Sequence, residues 1–241
     1  MIMRDVLMLP FSNDEMLVIA SDNSGGIGEK EQDVVKVDYE TLAYFSLRVA
    51  MMECMAVGAN PIAIVMQNFI GDKEWKRLEK GINRLFQDLQ IPPLPITGST
   101  ESNFHMIQSA VGMIVIGRLH VSKRKYGITP DDARYAVIGE PLVGNEVLDR
   151  QEKIAPLSLF KQFVSNPNVY EVVPIGSKGV LYELKQLVND PNVHVSSLVD
   201  LNKSAGPSTC FLISYNQKLE NEMKEIAKGY FHLINVKGAV R

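Results

Sequence analysis

Short, continuous apolar runs bounded by turn residues constrain this chain more than any other feature of its sequence. Three of them have the length and β-branched content of strands: MLVIA (16–20), PIAIVMQNF (61–69) and VGMIVIGRL (111–119). Between the first two runs, apolar residues recur at helical spacing, which predicts an amphipathic helix from Asp38 to about Val57. The first half of the chain is therefore expected to alternate strands with helices.

A second helix is expected from Asp72, read as its N-cap, to Leu89, and it ends before the prolines of IPPLP. The polar segment HVSKRKYGITPDDAR (120–134) then separates two halves of similar character. In the second half we expect strands at YAVIGEPLVG, TCFLIS and HLINVKG and helices near 154–164, 180–188 and 217–228. The sequence thus predicts an α+β fold with two domains, residues 1–128 and 129–241.

Composition excludes several classes of function. The 25 Lys and Arg residues nearly balance the 28 Asp and Glu residues, giving a net charge of −3, which disfavours nucleic acid as a partner. Cys54 and Cys210 lack paired spacing, so they predict neither a disulfide framework nor a zinc ribbon, and we expect them to be small buried apolar groups. No apolar run approaches the roughly 18 residues of a membrane span, and a cytoplasmic protein is expected.

The polar stretch SDNSGGIGEK (21–30) follows the first strand and is the first candidate site. Backbone amides and a positive charge suited to a phosphate group are expected at Gly25, Gly26, Gly28 and Lys30. The P-loop pattern is not met, because Glu29 separates Gly28 from Lys30. The alternative is a plain turn in which Asp22 and Asn23 bind the backbone.

Three carboxylates form a candidate metal site. Asp22 leaves one apolar strand and Asp5 begins another apolar segment, so the two face one crevice if the strands are neighbours. Glu53 lies at the rim of its helix's apolar stripe, where an acid needs a partner. These oxygen ligands would suit Mg²⁺. The alternative for Glu53 is a structural salt bridge with Arg48 or Lys36.

A second polar loop, TGSTESNF (97–104), also offers groups for a phosphate or metal. Its candidate residues are Gly98, Ser99, Thr100 and Glu101. The alternative is a helix N-cap at Ser99 or Thr100. The four histidines show no ligand spacing, and no nucleophile triad or zinc motif occurs. In the second half, IGSKGV (175–180) and SAGPSTC (204–210) are the nearest loops for a substrate pocket, with a plain turn as the alternative for the latter.

The order of these pieces resembles the aminoimidazole ribonucleotide synthetase (PurM-like) superfamily. The resemblance rests on SDNSGGIGEK, ECMAVGANP, ITGSTESNF and VGMIVIG. It implies a two-domain architecture with an N-terminal domain that binds ATP and Mg²⁺, a dimerising β-sheet that pairs the chain with its twin in a homodimer, and a shortened C-terminal α+β domain that contributes the pocket for a small-molecule substrate.

The same resemblance assigns roles to single positions. Asp22 and Lys30 match the family's acid and lysine on either side of the glycine-containing loop and would be the catalytic residues. The metal ligands would be Asp5, Asp22 and Glu53, with Glu53 standing where the family usually has Asp. The nucleotide would meet Gly25, Gly26, Gly28, Lys30, Gly98, Ser99, Thr100 and Glu101. Ser99 occupies an acidic position of the family, with Glu101 as a shifted substitute.

Within the superfamily, a compact chain with the motifs DNSGGIGEK, TGSTESN, VVPIGSKGVLYEL and AGPSTC most resembles the α-ribazole kinases. The end of the chain, VKGAVR, lacks the terminal cysteine of the hydrogenase maturation dehydratase, and no cysteine precedes the first loop as in selenophosphate synthetase. The resemblance implies phosphorylation of the 5′-hydroxyl of α-ribazole in cobalamin salvage. The alternatives are a thiamine-monophosphate kinase, an amide-activating cyclo-ligase, and a nucleotide-binding protein without catalysis.

Overall fold

The computed structural model describes residues 2–3 and 5–237. The chain divides between Arg124 and Lys125 into two compact units, whereas the sequence-based boundary lies at residue 128. Each unit combines a β-sheet with helices, which confirms the mixed helix and strand content expected from the sequence.

The first unit is a six-stranded sheet with two long helices. Its strand order is β1-β2-β3-β8-β6-β7, in which β6 and β7 run parallel and the other neighbours antiparallel, while β4 and β5 form a separate parallel pair. The strands are β1 (Ile2–Met3), β2 (Val6–Pro10), β3 (Glu15–Gly25), β4 (Ile27–Gly28), β5 (Val35–Lys36), β6 (Asn60–Asn68), β7 (Ile96–Thr100) and β8 (Ala110–His120). The helices are α1 (Tyr39–Ala56) and α2 (Trp75–Leu89).

The ends of α1 follow from local chemistry, as predicted. The Asp38 carboxylate accepts hydrogen bonds from the Thr41 backbone amide at 2.9 Å and the Thr41 hydroxyl at 2.8 Å, which satisfies a donor that the first turn leaves unpaired. Gly58, with φ of 90°, ends the helix region in the left-handed conformation. The predicted N-cap of α2 is wrong, because Asp72 begins a short 3₁₀ turn and α2 itself starts at Trp75 without a side-chain cap.

The core of this unit lies between α1 and the centre of the sheet. Helix α1 packs over β3 and β8 and against α2. The Ser46 hydroxyl of α1 meets the Ser24 hydroxyl of β3 at 2.7 Å, so the even-numbered residues of β3 face the helix. Fully buried side chains of this core include Val18, Ala20, Leu47, Met51, Met66 and Met113.

The opposite face of the sheet is apolar and partly exposed. Because side chains alternate along a strand, the odd-numbered residues of β3 face away from α1. Leu7, Ile19 and Ile116 occupy one row across β2, β3 and β8, and Leu9 and Leu17 belong to the next. Leu7 and Leu9 are 38% and 40% exposed. The sheet therefore has a second apolar face that the helices of this unit leave open.

The second unit has a five-stranded antiparallel sheet. Its strand order is β10-β12-β9-β13-β11. The strands are β9 (Arg134–Ile138), β10 (Val169–Pro174), β11 (His194–Ser196), β12 (Phe211–Tyr215) and β13 (Phe231–Lys237), and the helices are α3 (Glu146–Asp149), α4 (Leu157–Ser165), α5 (Gly179–Val188) and α6 (Glu220–Ala227). The sequence did not predict β10 or β11. Residue 238 of the predicted last strand lies outside the described residues.

Both cysteines are fully buried, as expected for small apolar groups. Burial raises the pKa of the Cys54 thiol to about 12, so this side chain is a poor nucleophile. Among the helices within residues 2–3 and 5–237, none has the length and apolar content needed to cross a membrane.

The close approach of α1 and α2 depends on Gly81. A Cβ at this position would collide with the Glu40 carbonyl oxygen and lie 3.0 Å from the Ala43 Cβ. We predict that Gly81→Ala lowers the free energy of unfolding by about 1–3 kcal/mol, because overpacking outweighs the better helix propensity of alanine. Chemical denaturation measures this change. Asn83→Ala, on the exposed face of α2, is the control and should be neutral or slightly stabilising. Equal stabilisation by both variants would contradict the close approach.

Candidate functional site

Strand β3 extends further than the sequence predicted. It continues through Gly25 and pairs residue by residue with β8, so that Asp22 lies opposite Met113 and Gly25 opposite Ala110. Asp22 and Asn23 are therefore strand residues, and the plain-turn alternative is wrong for them. The irregular segment starts at Gly26, where φ is 69°.

Asp22 lies at the edge of the core on the helix-facing side of the sheet. Its neighbours on this face of β3 are Ala20, which is fully buried, and Ser24, which contacts α1. Burial raises the pKa of the Asp22 carboxyl to about 6, the Asn23 backbone amide opposes this effect, and the negative charge of Asp5 adds to it. The ionised form of Asp22 is thus electrostatically unfavourable in the protein without a cation.

Asp5 is exposed and immediately precedes β2, which pairs with β3. Its negative charge acts on the Asp22 carboxyl. That the two carboxylates face one crevice stays a prediction. Glu53 is 8% exposed on α1 and is engaged in an interaction of its own. Within residues 2–3 and 5–237, no group of three His, Cys, Asp or Glu side chains is arranged to hold a metal ion. The three carboxylates therefore do not form a preassembled cage.

The glycine-containing segment is held by a buried carboxylate that the sequence did not single out. Asp33, 6% exposed, accepts hydrogen bonds from the Ser109 amide at 2.7 Å, the Ser109 hydroxyl at 2.7 Å and the Lys30 amide at 2.9 Å. Although burial raises its pKa, these hydrogen bonds hold the pKa of Asp33 below its usual range. A Cβ at Gly28 would lie 2.5 Å from the Ser109 hydroxyl oxygen. Only glycine therefore fits at position 28, beside the hydrogen-bonded Asp33 and Ser109 side chains.

The Lys30 ammonium group contacts backbone carbonyl oxygens. It donates to Met106 at 2.9 Å and to Phe69 and Gln108 at 3.4 Å each. Burial lowers the pKa of Lys30, and the charge of Asp33 opposes that change. Lys30 thus ties the glycine-containing segment to the segment before β8 and to the end of β6.

Glu29, the residue that interrupts the P-loop pattern, anchors the segment to α2. Its carboxylate pairs with the guanidinium of Arg77 through both of its oxygens, one of them at 2.9 Å. Arg77 also pairs with Glu74 at 3.0 Å and stacks over the Tyr39 ring at 4.9 Å. The side chain of Arg77 lowers the pKa of Glu29. This residue therefore has a structural partner and is not directed at a ligand.

The second candidate loop also begins as a strand. Gly98, Ser99 and Thr100 belong to β7, which pairs in parallel with β6. Gly98 is required there, because a Cβ would collide with the Met66 carbonyl oxygen. No helix follows Thr100 before β8, so the helix N-cap alternative is wrong.

Thr100 and Glu101 make local contacts. The Thr100 hydroxyl accepts a hydrogen bond from the Asn68 side chain at 3.1 Å. The Glu101 carboxylate accepts from the amides of Asn103 at 2.7 Å and Phe104 at 3.2 Å. Glu101 therefore stabilises its own turn.

One row of the sheet contains both candidate segments. Asp22 pairs with Met113, Met113 with Met66, and Met66 with Gly98. Three strand spacings of about 4.8 Å separate Asp22 from Gly98 by roughly 14 Å. A single metal ion cannot be bound by both ends of this row, because its ligand distances are only about 2 Å. The two middle residues of this row, Met113 and Met66, are fully buried in the core, so the two candidate segments do not form one continuous open groove along the row.

Two loops of the second unit, residues 175–180 and 204–210, have side chains that contact other parts of the protein. The Lys178 ammonium group donates to the Tyr182 hydroxyl at 3.2 Å and lies 4.4 Å from the centre of its ring. The Thr209 hydroxyl is fully buried, donates to the Glu140 carbonyl at 2.8 Å and accepts from the Leu142 amide at 3.0 Å. Thr209 is therefore a structural residue of its loop.

Comparison with solved structures identifies the fold. Thiamine monophosphate kinase from Aquifex aeolicus superposes with a TM-score of 0.64 at 10% identity, covering 98% of this chain and 89% of the kinase. The hydrogenase maturation protein HypE in complex with ATP gives 0.62 at 7% identity, covering 91% of this chain and 77% of HypE. PurL from Thermotoga maritima, complexed with ADP, gives 0.64 at 12% identity over 96% of this chain.

The chain spans 42% of the length of PurL. A scan against protein-family models and a search of curated proteins find no match to the sequence. At these identities the structural likeness concerns the fold, and it agrees with the family resemblance of the sequence motifs. The chain therefore has the PurM-like fold that HypE, PurL and thiamine monophosphate kinase share.

Proposed function

We propose that this protein is an ATP-dependent small-molecule kinase that transfers the γ-phosphoryl group to the 5′-hydroxyl of α-ribazole. The observation that carries the ATP-dependent part is Asp22, a partly buried carboxylate whose pKa is raised to about 6. The ionised form of such a carboxylate is stabilised by a divalent cation. The choice of α-ribazole rests on the sequence resemblance alone.

In our proposal, Mg²⁺ binding would draw together acidic residues that are not preassembled in the ligand-free protein. Asp22 and Asp5, with Glu53 on the helix above the sheet, would supply oxygen ligands, and phosphate oxygens of the nucleotide would complete the set. Bound Mg²⁺ neutralises charge on the transferred phosphoryl group. Because phosphoryl transfer depends on positioning and charge more than on a nucleophilic side chain, the lack of a catalytic triad in the sequence agrees with this chemistry.

In our proposal the nucleotide contacts two segments, the glycine-containing segment at the end of β3 and the end of β7. The backbone at Gly25, Gly26 and Gly28 would approach the phosphates, and β7 with Gly98, Ser99 and Thr100 would border the remainder of the nucleotide. Glu101 would contribute by keeping the turn after β7 in place through its contacts with Asn103 and Phe104.

Lys30 would bind a phosphate oxygen in place of the Phe69 and Gln108 carbonyl oxygens, each of which lies 3.4 Å from its ammonium nitrogen. Contacts of that length are weak, whereas a hydrogen bond from an ammonium group to an anionic oxygen is strong. The Met106 contact at 2.9 Å would keep the side chain in place during this exchange. Lys30 would thus add positive charge beside the transferred group.

Replacing Asp22 should stabilise the ligand-free protein at neutral pH. The folded-state pKa of about 6 lies above the ordinary value of 3.8, so ionisation of Asp22 costs the folded state free energy that grows from about pH 3.8 to about pH 6 and is complete above that range. Asp22→Asn removes that cost. We expect the free energy of unfolding to rise by at most about 3 kcal/mol at pH 8 and by only about 0.5 kcal/mol at pH 4.

Denaturant titrations at both pH values test this expectation. Asp14→Asn changes an exposed acid in the loop before β3 and should have no effect at either pH. A loss of stability of Asp22→Asn at pH 8 would show that the carboxylate is already satisfied by the protein.

Turnover with ATP and Mg²⁺ tests the reaction. We expect ADP formation with α-ribazole and not with thiamine monophosphate or formylglycinamidine ribonucleotide, together with one added phosphoryl group on α-ribazole by mass spectrometry. Asp22→Asn should lower turnover at least about 100-fold through loss of metal-assisted charge stabilisation, and Asp14→Asn should retain it. Phosphorylation of thiamine monophosphate instead would reject the acceptor but keep the kinase. ATP binding without turnover of any acceptor would reject the enzyme.

The open face of the six-stranded sheet supports a homodimer in our proposal. Leu7, Leu9, Leu17, Ile19 and Ile116 form its apolar rows. Burying such rows against a twin sheet would remove their apolar area from water. The small-molecule substrate would bind to this homodimer without nucleic acid or membrane as a partner.

A charge in the centre of that face should dissociate the dimer. We predict that the wild-type protein has the mass of two 26.9 kDa chains by light scattering, and that Ile19→Lys has the mass of one. Gln87→Lys adds the same charge to the exposed side of α2 and should remain dimeric. A monomeric wild type, or a dimeric Ile19→Lys, would contradict this interface.

A further inference from the structure

The second unit contains a cavity that the proposed kinase reaction does not use. Its volume is about 590 Å³, within the range of pockets that bind small molecules. It lies between the start of β9, the end of α5 and the end of β13. None of its lining residues belongs to the two loops expected to form the substrate pocket, residues 175–180 and 204–210.

One part of the cavity wall is apolar. Leu187 and Val188 line it from the last turn of α5, and Ile234 and Val236 from β13. These four side chains also pack against the core of the unit. A ligand with an apolar body can therefore remove its surface from water here.

Tyr135 lines the cavity and is 6% exposed. Burial raises the pKa of Tyr135, and the charges of Asp131 and Glu171 raise it further. The hydroxyl is therefore neutral at physiological pH and can both donate and accept a hydrogen bond.

Charged residues at the rim of the cavity determine which ligand charge is favoured there. Asp131, Asp132 and Asp190 line the cavity together with a single cation, Arg134, and Arg134 is paired with Glu220 at 3.5 Å. The C-terminal end of α5, a helix of ten residues, adds partial negative charge. An anion such as a phosphate is disfavoured in this field, and a cation is attracted.

We propose that this cavity is a binding site for a small organic cation, in which a protonated amine lies at the acidic rim and an apolar or aromatic body lies against α5 and β13. The Tyr135 hydroxyl accepts a hydrogen bond from the amine or donates one to a polar atom of the body. The cavity shares no residue with the proposed nucleotide site, and binding there does not depend on the proposed kinase activity.

Two probes with the same ring and opposite charge test the proposal. Tryptamine and indole-3-acetate are titrated separately into the full-length protein, without nucleotide, and followed by isothermal titration calorimetry. We expect tryptamine to bind with one-to-one stoichiometry and indole-3-acetate to bind at least about tenfold more weakly, as expected for the loss of one or two favourable charge contacts. Equal affinities, or no saturable binding of tryptamine, would overturn the proposal.

Matched variants locate the binding. Asp190 and Asp200 each accept a hydrogen bond from the backbone amide two residues later, at 2.8 Å and 2.9 Å, but only Asp190 lines the cavity. Asp190→Asn combined with Asp131→Asn should weaken tryptamine binding several-fold, and Asp200→Asn should leave it unchanged. Val188→Trp should abolish binding by filling the cavity. Wild-type affinity in both the rim variant and Val188→Trp, with thermal unfolding showing folded protein, would place the probe elsewhere and overturn the proposal.

Discussion

The antiparallel ladder between β3 and β8 is the interaction on which the candidate nucleotide site depends. Its eleven residue pairs run from Glu15 to Gly25, and the contact between the Ser24 and Ser46 hydroxyls ties this register to α1. A slip of one residue would reverse the faces of the strand. Asp22 would then leave the edge of the core, and its charge would be solvated. The unfavourable ionisation of Asp22 is thus a consequence of strand pairing.

The strongly patterned elements could be predicted from sequence, and the polar ends of strands could not. The apolar spacing of α1 and the Asp38 cap specify that helix locally, and the apolar runs specify most of β6 and β8. The residues from Asp22 to Gly25 and from Gly98 to Thr100 have low strand propensity. They are held in strands by pairing with distant segments, which no local pattern reveals.

The candidate site shows the same division. Its residue types, acids after an apolar strand and a run of glycines, were recognisable from the sequence. The hydrogen bonds between Asp33 and Ser109 could not be recognised from the sequence, because the two residues are 76 positions apart. Neither residue belongs to a patterned segment. The carbonyl partners of Lys30 likewise depend on tertiary structure, so the sequence could not show what its charge contacts in the ligand-free protein.

The central claim is that a divalent cation bound with nucleotide uses Asp22 as a ligand. A crystal structure of the protein with Mn²⁺ and a non-hydrolysable ATP analogue tests it most directly, because the anomalous signal of manganese locates the ion. We predict an anomalous peak within about 2.5 Å of an Asp22 carboxylate oxygen, with the phosphates beside the backbone of Gly25, Gly26 and Gly28. A nucleotide whose metal ion lies away from Asp22, or a nucleotide bound outside this crevice, would contradict the account.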